Sequence, residues 1–247
     1  MKKLLGYLTP KLPDSQFTID LALALFESGV DSLELGVPFS DPAADGPVIE
    51  QAGRKAIENG FVFDDILRIS SSLRGRDLLW MGYMNSFFHR GFDRVALEAA
   101  SLGVSGLLIP DMPHEESERY AGVLEQKGVA LIEFIAPTTP KERATANLKN
   151  ARKFVYLVAY NGITGVDRGE DDGIRVCLEN IRAATKTPVF VGFGVNRDSA
   201  KRRVLGADGV IVGSAFVRLL LNDSLGSGEK MRRICEEARA IKEIINE

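Results

Sequence analysis

Short apolar runs and amphipathic stretches alternate along the whole chain, and the alternation is regular enough to count. Eight runs of four to seven residues are nearly continuous in apolar character: Leu4–Thr9, Ser32–Gly36, Leu78–Met84, Gly106–Ile109, Ala130–Ile135, Phe154–Ala159, Pro188–Gly192 and Gly209–Val212. Between them lie stretches with helical spacing: Phe17–Ser28, Pro47–Asn59, Phe92–Leu102, Glu115–Gln126, Pro140–Asn150, Gly173–Ala184 and Arg197–Leu205. A long C-terminal stretch starts at Ser214 and is broken near Gly226-Ser227-Gly228. A run with no polar alternation predicts a strand buried on both faces, the mark of a parallel sheet. Strands that alternate with helices predict βαβ units. Eight such units in 247 residues predict an α/β chain folded as a (β/α)8 TIM barrel, with a doubly wound open sheet as the alternative. No linker, low-complexity segment or shift in composition divides the chain, so residues 1–247 are expected to form one barrel domain. The first run starts almost at the N-terminus, which leaves no helix there to cover the barrel floor.

Composition narrows the function classes. Lys and Arg number 31 against 34 Asp and Glu, a net charge of −3 without a basic block, so the chain lacks the electrostatic footprint of a nucleic-acid binder. No apolar run approaches the ~20 residues of a membrane span, and Met1-Lys2-Lys3-Leu4-Leu5 leads into Gly6 and Pro10 rather than the core of a secretion signal. The two cysteines, Cys177 and Cys235, fall in predicted helices without metal-type spacing, which fits a reducing, cytoplasmic setting.

In a barrel the active site lies where strands end and βα loops begin, and polar residues concentrate there. Glu34 sits in the apolar run Leu33–Gly36, where a carboxylate is costly unless it is partnered or used. Eleven positions on, after a Pro-rich loop that contains Asp41, comes Asp45. Tyr83 and Asn85 end the third run, Asp111 follows the fourth, and Tyr156 lies late in the sixth. Each has a plainer reading as well: Glu34 tied to a tyrosine or backbone group, Asp45 as the N-cap of a helix starting at Pro47, and Asp41 as a turn former. The loop Tyr160–Gly169 is long and punctuated by glycine, and is expected to be a hinged lid.

Three glycine-bearing turns fall in the last third: Gly162 to Gly165, Gly192-Phe193-Gly194 and Gly213-Ser214-Ala215. Glycine lets backbone N–H groups approach an anion, and barrels bind phosphate at loops in these positions, so a phosphate ester is the expected ligand. Any one of these glycines alone also fits a tight βα corner. His89 and His114 lie in separate loops with no ligand spacing, so no metal site is expected. Lys153 and Lys186 precede strands and face the other end of the barrel, which leaves no lysine for Schiff-base chemistry. The chemistry is therefore expected to rest on carboxylate acid and base groups with phosphate anchoring. Glu133, inside an apolar run, has no functional account at this level.

The block Leu33-Glu34-Leu35-Gly36-Val37-Pro38-Phe39-Ser40-Asp41-Pro42-Ala43-Ala44-Asp45-Gly46-Pro47, followed in order by the three glycine turns, resembles the tryptophan synthase α-subunit family from about Leu4 to the C-terminal helix. The resemblance implies a lyase that splits indole-3-glycerol phosphate into indole and glyceraldehyde 3-phosphate in tryptophan biosynthesis. It implies no cofactor of the chain's own, with pyridoxal phosphate only in a β subunit that partners it in an αββα complex. Carried over by motif, Glu34 transfers the proton, Asp45 holds the indole N–H and Tyr156 supports Asp45. Gly165, Gly194, Gly213 and Ser214 bind phosphate, with Thr164 in the lid. Tyr7, Met81, Tyr83, Leu108, Phe193 and Ile211 line the indole pocket, and Asn85 and the Asp41 loop face the partner. The chain departs from the family pattern in the missing N-terminal helix, in Ala159-Tyr160-Asn161 at the start of the lid, and in Glu133. A stand-alone lyase that releases free indole, and an α-like subunit that mainly activates a β partner, remain the alternatives.

Overall fold

The computed structural model of the chain describes residues 1–149, 151–159 and 170–247. Among the described residues nine strands form one parallel sheet: β1 (Lys3–Leu8), β2 (Ser32–Gly36), β3 (Leu78–Met81), β4 (Val104–Leu108), β5 (Ala130–Leu131), β6 (Glu133–Ile135), β7 (Val155–Val158), β8 (Val189–Gly192) and β9 (Gly209–Val212). Their order is β5-β4-β3-β2-β1-β9-β8-β7-β6. The two ends of this order are consecutive pieces of one segment. The predicted run 130–135 is interrupted at Ile132; its first part pairs with β4 and its second with β7. One peptide segment thus bridges the seam of a nearly closed ring, and the nine strands fill the eight positions expected of a (β/α)8 barrel.

Side chains alternate about the ring. Leu5, Leu79, Leu108, Ile132, Phe154, Tyr156, Phe190 and Ile211 fill the interior. Leu4, Leu8, Leu33, Leu35, Trp80 and Leu107 pack outward against the helices. The register sets Tyr7 opposite Glu34 and Glu34 opposite Leu79, so Glu34 shares the inner face while its flanking leucines point away. Glu133 is on the outer face, as the strand period requires for the neighbour of the inward Phe134. Its Oε2 lies 3.5 Å from Nδ1 of His114, a contact that offsets only part of the cost of burial, so its pKa is raised.

The helices follow the predicted pattern: α1 (Ser15–Glu27), α2 (Pro47–Glu58), α5 (Phe92–Leu102), α6 (His114–Glu125), α7 (Lys141–Leu148), α8 (Glu170–Ala184), α9 (Arg197–Arg203), α10 (Ser214–Leu220) and α11 (Ser227–Ile244). Two further helices were not expected. The first, α3 (Phe63–Ser72), buries Ile66 and Ile69, and its Asp65 carboxylate accepts the Val62 N–H at 3.0 Å. The second, α4 (Met84–Arg90), takes over the end of the run 78–84, because the strand stops at Met81 and Tyr83 becomes the helix N-cap.

A polar stopper lies across the N-terminal ends of the strands. The Asp77 carboxylate, just before β3, accepts bonds from the Ser32 and Ser105 hydroxyls and from Lys153 Nζ at 2.8 and 2.9 Å. Lys153 approaches from just before β7, in the other half of the ring.

Candidate active site at the C-terminal end of the barrel

At the opposite end a cavity of about 630 Å³ opens among the strand exits. Its walls include Tyr7, Glu34, Asp45, Met81, Tyr156, Phe193, Gly194, Ile211, Gly213 and Ser214, all expected from the sequence, together with Val48, Ile49 and Arg218, which were not. Tyr83 and Leu108 are not among the lining residues. Leu108 is fully buried in the barrel interior. Gly165 and Thr164, and the lid expected over 160–169, lie outside the described residues.

Glu34 is 1% exposed, and among the described residues its Oε1 has no hydrogen-bond partner. Burial without compensation disfavours the charged form and pushes its pKa up to about 8. The carboxyl group is thus protonated at neutral pH.

Asp45 is placed by the loop between β2 and α2. The N-cap of α2 is Gly46 with Pro47 at the first helical position, so Asp45 is not the cap and its side chain is available to the cavity. Burial raises its pKa to about 6; a hydrogen bond with Tyr83 pulls the other way and the Glu50 charge adds to the rise. Asp45 is therefore mostly ionised at pH 7. The Tyr83 hydroxyl also accepts the Ala44 N–H at 3.0 Å, and its ring stacks on Phe39 at 5.2 Å. Tyr83 thus clasps the β2–α2 loop from behind. The hydroxyl that bonds Asp45 is that of Tyr83; Tyr156, expected to support Asp45, lines the same cavity.

Tyr7 and Tyr156 approach from opposite flanks, each seated on a glycine one strand away. A Cβ on Gly36 would fall 2.1 Å from Tyr7 Oη, and one on Gly192 would fall 2.3 Å from Tyr156 Oη. No real Cβ fits there. Both phenols are held neutral by burial, reinforced by the carboxylate charge of Asp45. Gly192 thus makes room for a phenol, and it is Gly194 that turns the corner, with φ of +68°. Phe193 also adopts a left-handed φ, +69°, a costly state for a residue with a side chain. Its ring meets Tyr156 edge to face at 6.0 Å. Gly213 is the N-cap of α10 and Ser214 its first residue, which sets backbone N–H groups beside the cavity.

The site combines one protonated and one ionised carboxyl group, neutral phenols, an apolar wall and glycine turns at one end. Such a pair serves as acid and electrostatic partner at one pH. The signals for Arg218 and for the glycine seats were present in the sequence only as Arg218 four residues after Ser214 and as glycines that close β2 and β8.

The family model for the tryptophan synthase alpha chain matches residues 1–246. The chain is 52% identical to the tryptophan synthase alpha chain of Wolinella succinogenes, covering 100% of this chain and 96% of that one. It is 40% identical to that of Synechococcus elongatus, over 96% and 90%. Among solved structures it is similar to the tryptophan synthase subunit alpha of Campylobacter jejuni, with a TM-score of 0.86 and 34% identity over 96% of this chain and 95% of that one. It is also similar to a chain of the aminoacrylate-bound tryptophan synthase of M. tuberculosis, with a TM-score of 0.85 and 31% identity over 97% and 93%.

Proposed function

The chain belongs to the tryptophan synthase alpha chain family and is a lyase that cleaves indole-3-glycerol phosphate; from this premise we propose that Glu34 and Asp45 carry the cleavage to indole and glyceraldehyde 3-phosphate, with the whole chain acting as one barrel domain. The observation that supports this division of labour is the opposite protonation of the two carboxyl groups at neutral pH, about 8 for Glu34 and about 6 for Asp45. Glu34 gives its proton to indole C3. The ring becomes an indoleninium, which accepts the electron pair of the bond to the glycerol chain as that bond breaks. Glu34, now a carboxylate, takes the proton of the 3′-hydroxyl as the aldehyde forms, and is restored. Asp45 offsets the positive charge that develops at the indole nitrogen, and its partial burial strengthens that interaction.

The apolar surfaces of Tyr7, Met81, Phe193 and Ile211 hold the indole. Gly194, Gly213 and Ser214 hold the phosphate through backbone N–H groups, with Gly165 and Thr164 contributing from the lid. Tyr156 supports the pocket from its seat on Gly192, and Tyr83 and Leu108 support it from behind. This chemistry needs no cofactor in the chain, and the family is consistent with that.

An alpha chain of tryptophan synthase implies a β-subunit partner. In this reading the partner carries pyridoxal phosphate, the assembly is αββα, and the complex is cytoplasmic; among the described residues no helix is long and apolar enough to cross a membrane. The partner docks on the loop 37–47 and on the surface near Asn85, where Phe88 is 66% exposed. Pressure on Phe39 is relayed through its stack on Tyr83 to Asp45. A spectroscopic assay of indole release by the purified chain, repeated with a saturating β subunit, tests both levels. Turnover of indole-3-glycerol phosphate is expected in the chain alone, rising roughly 5–150-fold with partner. No release under either condition removes the lyase assignment, and an unchanged rate removes the coupling.

A further inference from the structure

One charged side chain of the cavity has no task in the reading above. Arg218 lies on α10 four residues after Ser214, so the two share a face of the helix, and both line the cavity. It is the only cation among the described lining residues, which otherwise carry the carboxyl groups of Glu34 and Asp45. No described carboxylate pairs with it. On the helices packed against α10, Glu50 of α2 pairs with Arg54 at 2.9 Å, and on α11 Glu229 pairs with Arg232 and Arg233 at 2.7 and 2.5 Å, Glu236 with Arg232 at 2.5 Å and Glu237 with Arg197 at 2.6 Å. Asp223, in the connection between α10 and α11, pairs with Lys55 at 2.6 Å.

The charge balance of the cavity gives this free guanidinium a purpose. At neutral pH Asp45 is mostly ionised, and a phosphate ester brings close to two further negative charges. Glycine turns and backbone N–H groups orient a phosphate and favour it as dipoles, but they carry no net charge, so they offset its repulsion from Asp45 only in part. A guanidinium at the same mouth does carry net charge, and its planar fork matches phosphate oxygens in a bidentate way.

We propose that Arg218 is the phosphate-recognising cation of the site, which draws phosphorylated substrate into an otherwise acidic cavity and discriminates it from the unphosphorylated indole-glycerol. The proposal rests on the phosphate-ester reading of the cavity and adds to it the side chain that supplies charge.

The test compares the parent chain with Arg218→Met and Arg218→Lys, after thermal melts confirm folding. Lyase kinetics are measured with indole-3-glycerol phosphate, and binding is measured by calorimetry with glycerol 3-phosphate, inorganic phosphate and indole as separate probes. For Arg218→Met, KM and the dissociation constant of glycerol 3-phosphate are expected to rise about 10- to 100-fold, the size of a lost charge-assisted contact. The dependence of kcat/KM on ionic strength should flatten, because a steering charge has gone. Indole binding should stay within twofold. Arg218→Lys keeps the charge but not the fork, so it should recover the salt dependence and part of the affinity. The proposal is overturned if Arg218→Met leaves KM and glycerol 3-phosphate binding within twofold of the parent, or if the loss falls on kcat alone. A parent chain that binds neither glycerol 3-phosphate nor substrate sinks the phosphate-ester reading itself, whatever Arg218 does.

Discussion

Asp31 and Glu34 are three residues apart, the first just before β2 and the second in its middle, and they illustrate how one barrel puts carboxylates to opposite uses. At the floor, Asp31 accepts the Leu4 N–H at 2.8 Å and the Lys3 ammonium at 2.9 Å, and is also bonded by Lys242. Burial pushes its pKa up, but these bonds outweigh burial and hold it below the ordinary range. Asp77 behaves alike: burial is overcome by Lys153, Ser105 and Ser32. At the mouth, no cation offsets the burial of Glu34, and Asp45 has only the neutral Tyr83, so both are raised. The floor carboxylates are already stabilised as anions and bind structure together. Those at the mouth are left under-stabilised, and the missing stabilisation is available to substrate. Burial alone does not separate structural from reactive carboxylates; the supply of donors does.

The sharpest way to break the comparison is to remove the proton from the mouth. Glu34→Gln keeps the shape but cycles no proton, so indole release should fall by about 10²–10⁴-fold while binding of glycerol 3-phosphate is retained. A variant with near-parental turnover would move Glu34 into the same structural class as Asp31. Asp45→Asn comes next, with an expected loss of about 10²–10³-fold in kcat, since an amide does not offset the charge at the indole nitrogen. Equal activity in the Asn variant would show that the ionised state of Asp45 is idle.

The two raised pKa values also fix a pH window. Activity needs Asp45 ionised and Glu34 protonated, so kcat/KM should fall about tenfold per unit below about 6 and above about 8. In Glu34→Gln whatever activity remains should lose the alkaline limb. Stability has its own sign. The folded chain keeps the Glu34 proton up to about 8 while the unfolded chain releases it near 4.5, so the native state binds more protons in between and stability falls as pH rises through that window. Glu34→Gln should therefore be more stable than the parent at pH 8–9, by roughly 1–3 kcal/mol, less than the full shift implies because the cavity admits water.

The smallest effect belongs to the floor, with the opposite sign. Asp77 titrates lower when folded, so its contribution is present above the unfolded value near 3.8 and is lost as pH falls through the folded one. Asp77→Asn should cost about 1–2 kcal/mol at pH 7, discounted because the carboxylate is partly exposed, and lower the melting temperature by a few degrees. Indole release per folded molecule should stay within twofold. A loss of turnover comparable to that of Asp45→Asn would mean that the two ends are not independent.

Much of the fold could be read from residue pattern because parallel strands buried on both faces leave nearly unbroken apolar runs, and the helices between them carry their own spacing. The misses have local causes. The run 78–84 stays apolar through the start of α4, so hydropathy has no mark at that break; in 130–135 the one polar residue, Glu133, directly follows the seam at Ile132, but a single charge does not by itself signal a change of pairing partner. The family block from Leu33 to Pro47 likewise made Glu34 and Asp45 legible, since a carboxylate inside an apolar strand needs a reason wherever it occurs.

Sequence by itself thus determined the count of βα units, the strand that carries Glu34 and the loop that carries Asp45, because hydropathy runs and chain order are local properties. Tertiary structure alone decided which hydroxyl bonds Asp45, why Gly36 and Gly192 are glycines, and that Arg218 meets the cavity. Those outcomes depend on distances between strands and helices far apart in the chain, such as Tyr7 over Gly36 and Lys153 over Asp77, and no local pattern encodes them. The protonation states belong to the same class, since the difference between Asp31 and Glu34 lies in the donors that the fold brings to one and withholds from the other.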